Sequence, residues 1–253
     1  MTVSRGGPVR GGDRFPTTRW SAVLGIRSAE PAERARSLES LVSGYWRPVY
    51  KYIRVKWGRS NEEAEDLTQG FFLRAMEKQF FESYDPARAR FRTYLRTCLD
   101  AYLANQRRDH LRLKRGGGET PLSLDFPSAE EELTDAALRS PDSPETFFEA
   151  EWIRGLFNLA LETLRSECAA RGKALHLRIF ERYDLQDCGE GRLTYESLAA
   201  ELGVAATDVT NHLAFARREF RRILLEKLRE MTASDEEFRR EASVLLGAGG
   251  EKP

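Results

Sequence analysis

Apolar residues recur at intervals of three and four positions along most of this chain, with polar residues between them. From Leu38 to Trp57 they form one stripe, which predicts a long helix with a single buried face that ends at Gly58. The run Ser60-Asn61-Glu62-Glu63 has the pattern of a capping box and predicts the start of a second helix. A third stripe extends from Phe91 to Leu103. Because no segment shows the sustained alternation of a strand, we predict an all-α fold.

The second half of the chain shows the same helical pattern after a stretch punctuated by prolines. Ser143-Pro144 predicts a helix N-terminus, and an apolar stripe follows from Ile153 to Leu164. We therefore predict two small helical domains joined by an acidic flexible linker, the second domain ending in a helix-turn-helix. The predicted boundaries are a disordered tail at 1–16, the first domain at 17–115, the linker at 116–146, the second domain at 147–232 and a C-terminal extension at 233–253. The extension contains one predicted short helix and is interpreted either as a frayed tail or as a regulatory segment.

Residues 193–224 have the pattern of a helix-turn-helix. A first helix from about Tyr195 to Leu202 precedes Gly203, whose permissive backbone suits a tight turn. A second helix starts at about Thr207 and leaves its polar residues on the face opposite the apolar stripe. These polar residues are Asp208, Thr210, Asn211, Arg217, Arg218, Arg221 and Arg222. Short polar groups followed by arginines suit a DNA major groove, and an αα-hairpin used only for packing is the alternative.

Charge is distributed unevenly along the chain, although its 40 basic and 40 acidic side chains cancel. Residues 119–151 hold ten acids and one base, so the remainder is basic. The three cysteines, Cys98, Cys168 and Cys188, lack the spacing of a disulfide framework or a zinc site, which fits a reducing cytoplasm. There is no apolar run near 18 residues and no signal-peptide pattern, so we expect a cytoplasmic protein without membrane contact.

Residues 88–115 form a basic segment with interleaved aromatic rings. Its bases are Arg88, Arg90, Arg92, Arg96, Arg107, Arg108, Arg112, Lys114 and Arg115. Arginines can follow a phosphate backbone and exposed rings can stack on unpaired bases, so this segment suits single-stranded DNA. Phe91, Tyr94 and Tyr102 share a face with Leu95 and Leu99, however, so most of these rings are also candidates for the core.

Three segments resemble the sigma factors of bacterial RNA polymerase. The second region of that family, which binds the polymerase, resembles EEAEDLTQGFFLRAMEK at 62–78. Its promoter-melting part resembles FRTYLRTCLDAYLANQRRD at 91–109, and its fourth region, which recognises the −35 element, resembles residues 193–223. The order of these segments and the linker length are similar to the extracytoplasmic-function (ECF) group, which has only these two domains.

The resemblance implies a role for individual residues. The residues implied in polymerase binding are Asp66, Gln69 and Phe72. Those implied in −10 DNA binding are Arg92, Tyr94, Asn105, Arg107, Arg108 and Arg112. Those implied in −35 DNA binding are Thr207, Asp208, Thr210, Asn211, Arg217, Arg218 and Arg221. The chain departs from the family at Gly70, where an acid is frequent, at Phe72, where a polar group is frequent, and at Ala101, where many members have an asparagine that captures a flipped-out base.

The resemblance implies an ECF-type sigma factor whose partners are core RNA polymerase and promoter DNA, and it allows an anti-sigma factor as a further partner. The acidic linker would then occupy the polymerase cleft, merely keep the connection solvated, or screen the basic helix-turn-helix in the isolated protein. The sequence shows no catalytic motif and no metal-ligand spacing, so we expect no enzyme, no cofactor, no metal and no small-molecule substrate. The alternative function is a stand-alone helix-turn-helix regulator that binds duplex DNA without polymerase.

Overall fold

The computed structural model describes residues 21–77, 80–109, 122–133, 143–186 and 193–247. In these residues it contains α-helices, a 3₁₀ turn at Phe80–Ser83 and a π-helical turn at Glu181–Leu185, and no strand. The helices are α1 (Ala22–Gly25), α2 (Pro31–Lys56), α3 (Asn61–Glu77), α4 (Phe91–Asp109), α5 (Phe126–Glu131), α6 (Pro144–Ala170), α7 (Ala174–Phe180), α8 (Tyr195–Leu202), α9 (Ala206–Glu230) and α10 (Asp235–Leu245). The prediction of an all-α fold is confirmed.

Helix α2 lies at the centre of the N-terminal half. It begins at Pro31, earlier than the apolar stripe predicts, because proline suits a first helical turn and the residues before Leu38 are mostly exposed. The helix ends at Lys56, and Gly58 then adopts a positive φ of 59° as the chain turns. Leu41, Val49 and Ile53 are completely buried, so the predicted stripe is the face that forms the core.

Helices α3 and α4 pack on α2 and on each other through aromatic rings. The predicted capping box is present, because Ser60 Oγ accepts from the Glu63 amide at 3.3 Å and the Glu63 carboxylate accepts from the Ser60 amide at 3.1 Å. Phe91 at the start of α4 meets Tyr45 of α2 edge-on, with 5.5 Å between ring centroids. Phe71 of α3 contacts Tyr102 of α4 with 5.7 Å between ring centroids, which fixes the relative positions of the two helices that carry the predicted polymerase and −10 residues.

Helices α5 and α6 cover other parts of α2. Phe126 of α5 meets Trp46 edge-on with 5.5 Å between centroids, and Phe148 of α6 meets Tyr52 edge-on at 5.6 Å. Ser143 caps α6 by accepting from the Thr146 amide at 3.2 Å, as the sequence predicts. Within the predicted linker, residues 122–133 therefore pack on α2, and the domain boundaries themselves stay a prediction.

The C-terminal half is built around α9. Helix α8 ends at Gly203, which has a φ of 67°, and α9 begins at Ala206, close to the predicted Thr207. Val209 and Leu213 are buried as predicted. Helix α9 packs on α6, α7 and α8 and then continues to Glu230. Met231 beyond it lies against Gly44 of α2.

Candidate nucleic-acid interface

The outer face of α3 carries the first predicted site. Asp66 is exposed and Gln69 is partly exposed almost one turn further along, so a carboxylate and an amide lie side by side. Phe72, which the resemblance groups with them, is fully buried and packs edge-on against Phe71 with 5.3 Å between centroids. Asp66 and Gln69 are therefore accessible to a partner, whereas Phe72 lies behind them in the core.

Gly70 follows this pair at the closest approach of α3 to α4. A Cβ atom at position 70 would lie 2.6 Å from the hydroxyl oxygen of Tyr102, which is too close for a carbon–oxygen contact. Tyr102 is itself buried, and its ring packs against Phe71 with 5.7 Å between centroids. The departure from the family's frequent acid at this position thus has a steric reason in this chain.

The arginines at the start of α4 are bound to carboxylates of other helices. Only 8% of the Arg92 side chain is exposed, and its guanidinium lies 4.8 Å from the centre of the Trp152 ring. Arg92 forms an ion pair with Glu241 of α10 at 2.7 Å and another with Glu149 of α6. The sequence predicts Arg92 as a DNA contact, and in this structure its guanidinium is paired with these two carboxylates.

Tyr94 lies just outside the core. Its hydroxyl donates to the carbonyl of Phe80 at 2.6 Å, and its ring lies 5.4 Å from that of Tyr84. Burial, followed by the neighbouring Cys98, raises the pKa of Tyr94 to about 12, so the hydroxyl stays protonated as a hydrogen-bond donor. Phe91 and Tyr102 are buried, which leaves Tyr94 as the partly exposed member of the three rings that the sequence predicts for base stacking.

A small cavity of about 170 Å³ lies against the outer face of α4. The cavity is lined by Arg74, Phe80, Cys98, Ala101, Tyr102, Asn105 and Gln106. It therefore combines aromatic walls with two side-chain amides and one guanidinium, which is the chemistry that holds a flat polar ring. The small side chain of Ala101 leaves the space open, and Asn105, predicted from sequence, supplies an amide at its rim. Arg107 and Arg108 lie on α4 with side chains outside the described part, and Arg112 lies outside the described residues.

The predicted −35 residues occupy the outer face of α9. The exposed members are Thr207, Asp208, Thr210, Asn211, Arg217, Arg218 and Arg221. Arg217 binds Asp184 through two hydrogen bonds, at 2.8 and 2.6 Å. Arg222 likewise binds Glu167 at 2.7 Å, so part of the basic face is neutralised within the protein. The polar residues of the first turns of α9 remain accessible.

Acidic residues of the predicted linker bind the basic face of α2. Glu130 accepts from the Arg54 guanidinium at 2.9 Å and from the Tyr50 hydroxyl at 2.5 Å, and Arg54 holds the pKa of Glu130 below its usual value. Glu132 forms ion pairs with Arg47 and with Lys51, whose side chain is only 2% exposed. None of the three predicted roles for the linker includes these contacts. The sequence does carry a signal for these contacts, because the spacing of positions 47, 51 and 54 places three bases on one face of α2, where they need acidic partners.

Two buried acids were also missed by sequence reasoning. Glu151 lies 3.0 Å from Lys51, and Glu241 lies within 2.9 Å of both Arg90 and Arg92. Both acids come from helices far along the chain from their partners, so no local pattern marks them. They show that Lys51 of α2 and two arginines of α4 are paired with acids from later helices.

Comparison with protein families gives one match, which lies in the N-terminal half of the chain. The model for Sigma-70 region 2 matches residues 41–115, a range that includes most of α2 and all of α3 and α4. Comparisons with curated proteins and with solved structures give no match. Across the described ranges, no helix is long and apolar enough to cross a membrane, and no cluster of three or more His, Cys, Asp or Glu could hold a metal. The match supports a member of the sigma-70 family, which comprises transcription initiation factors that bind RNA polymerase and promoter DNA and are not enzymes.

Proposed function

We propose that this chain is an ECF-type sigma factor that acts in the cytoplasm. It binds core RNA polymerase through α3, holds the opened −10 strand on α4 and recognises the −35 duplex with α9. The observation that carries the proposal is the region 2 match, because its range includes both the exposed Asp66–Gln69 pair and the residues that line the α4 cavity. Residues 193–224 then follow with the predicted helix-turn-helix pattern.

The polymerase contact is assigned to Asp66 and Gln69 because of their chemistry and exposure. A carboxylate accepts charge-assisted hydrogen bonds from a basic partner, and an amide can both donate and accept beside it. Phe72 contributes by holding α3 against the core, since its side chain is completely buried. The polymerase-binding surface therefore needs no rearrangement of the core.

The cavity beside Ala101 is assigned to one base of the −10 strand. In many ECF members an asparagine at the position of Ala101 captures this base, and here Asn105 stands one helical turn later at the rim of the cavity. The Asn105 amide would bind the polar edge of the base, while the rings of Phe80 and Tyr102 would contact its face. Asn105→Ala should therefore reduce promoter opening and leave polymerase binding unchanged.

Weak DNA binding by the isolated subunit is part of the proposal. Arg92 and Arg217 are bound to carboxylates in this structure, so neither is ready to bind phosphate. Two weak contacts, to −10 and to −35 DNA, act together when both domains are held on one polymerase, because the second contact then forms at high effective concentration. The holoenzyme would recognise promoters far better than the subunit alone.

A pull-down of core RNA polymerase tests the proposed interface. The double variant Asp66→Ala/Gln69→Ala should capture much less polymerase than the wild type, because both hydrogen-bonding groups of the exposed face are lost. The matched control is Glu77→Ala, which removes the same charge from an exposed residue at the far end of α3. Equal capture by the wild type and the double variant would contradict this assignment, and no capture by the wild type would contradict the function.

The second candidate is a stand-alone helix-turn-helix regulator that binds duplex DNA without polymerase. The exposed polar residues at the start of α9 favour it as much as they favour a sigma factor. It predicts tight duplex binding by the isolated chain, with an affinity that falls steeply as salt concentration rises. The internally paired arginines of α4 and α9 favour the sigma factor instead.

A further inference from the structure

The C-terminal helix α10 is an ordered part of the fold that docks next to the start of α4. Ser234 caps it by accepting from the Glu237 amide at 3.1 Å, and the Glu237 carboxylate accepts from the Ala233 amide at 2.9 Å. Just before the helix, the Ser21 hydroxyl donates to the Thr232 carbonyl at 2.6 Å. The extension therefore places α10 at a fixed position against the N-terminal half.

The contact between α10 and α4 is made by a carboxylate and two arginines. Glu241 is buried, with 4% of its side chain exposed, and lies 2.9 Å from Arg90 and 2.7 Å from Arg92. Glu149 of α6 completes this cluster by pairing with the same Arg92 guanidinium. One turn further along α4, Arg96 pairs with Glu145 of α6 at 2.8 Å. Three arginines of the basic segment thus face carboxylates from the C-terminal half.

The way in which α10 is held differs from that of the other docked helices. Its buried residues are two acids, Glu237 and Glu241, whereas α6 buries Phe148, Trp152 and other large apolar side chains. Val244 of α10 is 61% exposed. Phe238, Ala242 and Leu245 of α10 are only partly buried against the core. Undocking α10 would therefore expose less apolar surface than undocking α6, and it would also break the Glu241 ion pairs.

We infer that α10 and nucleic-acid phosphate compete for Arg90 and Arg92, so that the docked extension represses single-stranded DNA binding by α4. Guanidinium groups bind carboxylate and phosphate oxygens with the same forked geometry, so phosphate can replace Glu241 without leaving Arg92 unpaired. The displaced Glu241 then returns to water with α10. This inference rests on the proposed function of α4 and adds to it a means of keeping the isolated subunit inactive.

The test measures binding of the full-length protein to a fluorescein-labelled single-stranded oligonucleotide over a range of salt concentrations. We expect Glu241→Gln to lower Kd roughly tenfold, because Arg90 and Arg92 no longer bind a carboxylate at position 241 and can form charge-assisted hydrogen bonds with phosphate instead. The log–log salt dependence should match that of the wild type, because the same phosphates are neutralised in both complexes once α10 is displaced, at about 0.7 each on a single strand. The matched control is Glu236→Gln, an exposed acid of the same helix that pairs with Arg240.

Hydrogen exchange on the wild type provides a second measurement that does not depend on a variant. Addition of the oligonucleotide should accelerate exchange of the α10 amides while the α6 amides stay protected. The inference is overturned if Glu241→Gln binds DNA with the wild-type Kd, which is the result expected of the Glu236→Gln control. It is also overturned if α10 keeps its protection when DNA is bound.

The same samples separate this inference from the proposed function. If the wild type captures core polymerase but Glu241→Gln leaves DNA binding unchanged, the competition is wrong and the sigma-factor function stands. If Glu241→Gln tightens DNA binding but no form of the protein captures polymerase, the competition stands and the sigma-factor function is wrong.

Discussion

The close approach of α3 and α4 at Gly70 allows a sharp test of the packing that supports the proposed polymerase-binding surface. Gly70→Ala places a Cβ atom 2.6 Å from the Tyr102 hydroxyl, about 0.8 Å closer than an ordinary contact. The Tyr102 ring is buried against Phe71, so the hydroxyl has little freedom to withdraw. With Tyr102→Phe the hydroxyl is absent, and the nearest remaining ring atom lies at 3.8 Å, an ordinary contact.

Two effects of opposite sign set the magnitude. Alanine is favoured over glycine inside a helix by about 0.8–1.0 kcal/mol, whereas overpacking of a fitted core costs about 1–3 kcal/mol. We therefore expect Gly70→Ala to lower the free energy of unfolding by up to about 2 kcal/mol in the wild type. In the Tyr102→Phe background the same change should raise the free energy of unfolding by about 1 kcal/mol, since the clash is gone.

The assay is urea unfolding of the four proteins of this double-mutant cycle, followed by circular dichroism at a helical wavelength. The reasoning predicts a coupling free energy of about 1–3 kcal/mol between positions 70 and 102. Additive effects, with a coupling below about 0.5 kcal/mol, would refute the steric explanation for Gly70.

Three further predictions concern other parts of the fold. Gly203→Ala should lower the free energy of unfolding by about 1–2 kcal/mol in urea titrations, because the residue ending α8 has a φ of 67°, and an unchanged midpoint would contradict this. Glu132→Gln should lower the free energy of unfolding by roughly 1–2 kcal/mol, because buried Lys51 loses one of its two counter-charges. The exposed control Glu131→Gln should change it by less than about 0.5 kcal/mol, and equal effects of the two variants would be inconsistent with a docked α5. Burial, with the charges of His212 and Lys173, lowers the pKa of His176, so the unfolded chain takes up the proton first as pH falls. The stability that neutral His176 provides is therefore complete above about pH 6.5 and is lost as pH falls through the folded pKa. Between pH 7.5 and 5.5 the urea midpoint of His176→Phe should therefore fall less than that of the wild type. Parallel curves of midpoint against pH would argue against this.

Most helices could be predicted from the sequence, because their signals are local. Apolar spacing marks α2 and α4, and the side-chain caps at Ser60 and Ser143 mark the starts of α3 and α6. The first turns of α2 escaped prediction because residues 31–37 are polar or small and mostly exposed, so they carry no apolar periodicity. Signals of this kind depend only on residues a few positions apart.

The pairing of charges could not be predicted in the same way. Arg92 looks like an exposed base in the sequence, yet its partners Glu149 and Glu241 lie on two other helices and Trp152 covers its guanidinium. Such burial depends on the tertiary packing of distant segments, and a single sequence gives no signal for it. At Lys51 a signal existed, because a base within the apolar stripe of α2 needs a buried counter-charge.

In the candidate site, too, exposed positions could be predicted from the sequence and buried charge pairs could not. Asp66 and Gln69 are accessible, as their positions on a polar helix face suggest, and the polar residues at the start of α9 are exposed. Arg92 and Phe72 were assigned by resemblance, and the structure adds that both are buried in the isolated chain. For Arg92 this burial is the basis of the competition inferred for α10.

Run-off transcription with core RNA polymerase on a library of linear promoter fragments tests the central claim most directly. If the chain is a sigma factor, polymerase plus wild-type protein should produce discrete promoter-dependent transcripts, and Asp66→Ala/Gln69→Ala should produce far fewer. Polymerase alone and the protein alone should produce none. If the wild type leaves polymerase inactive on every fragment while binding duplex DNA tightly by itself, the sigma-factor account is contradicted and the stand-alone regulator replaces it.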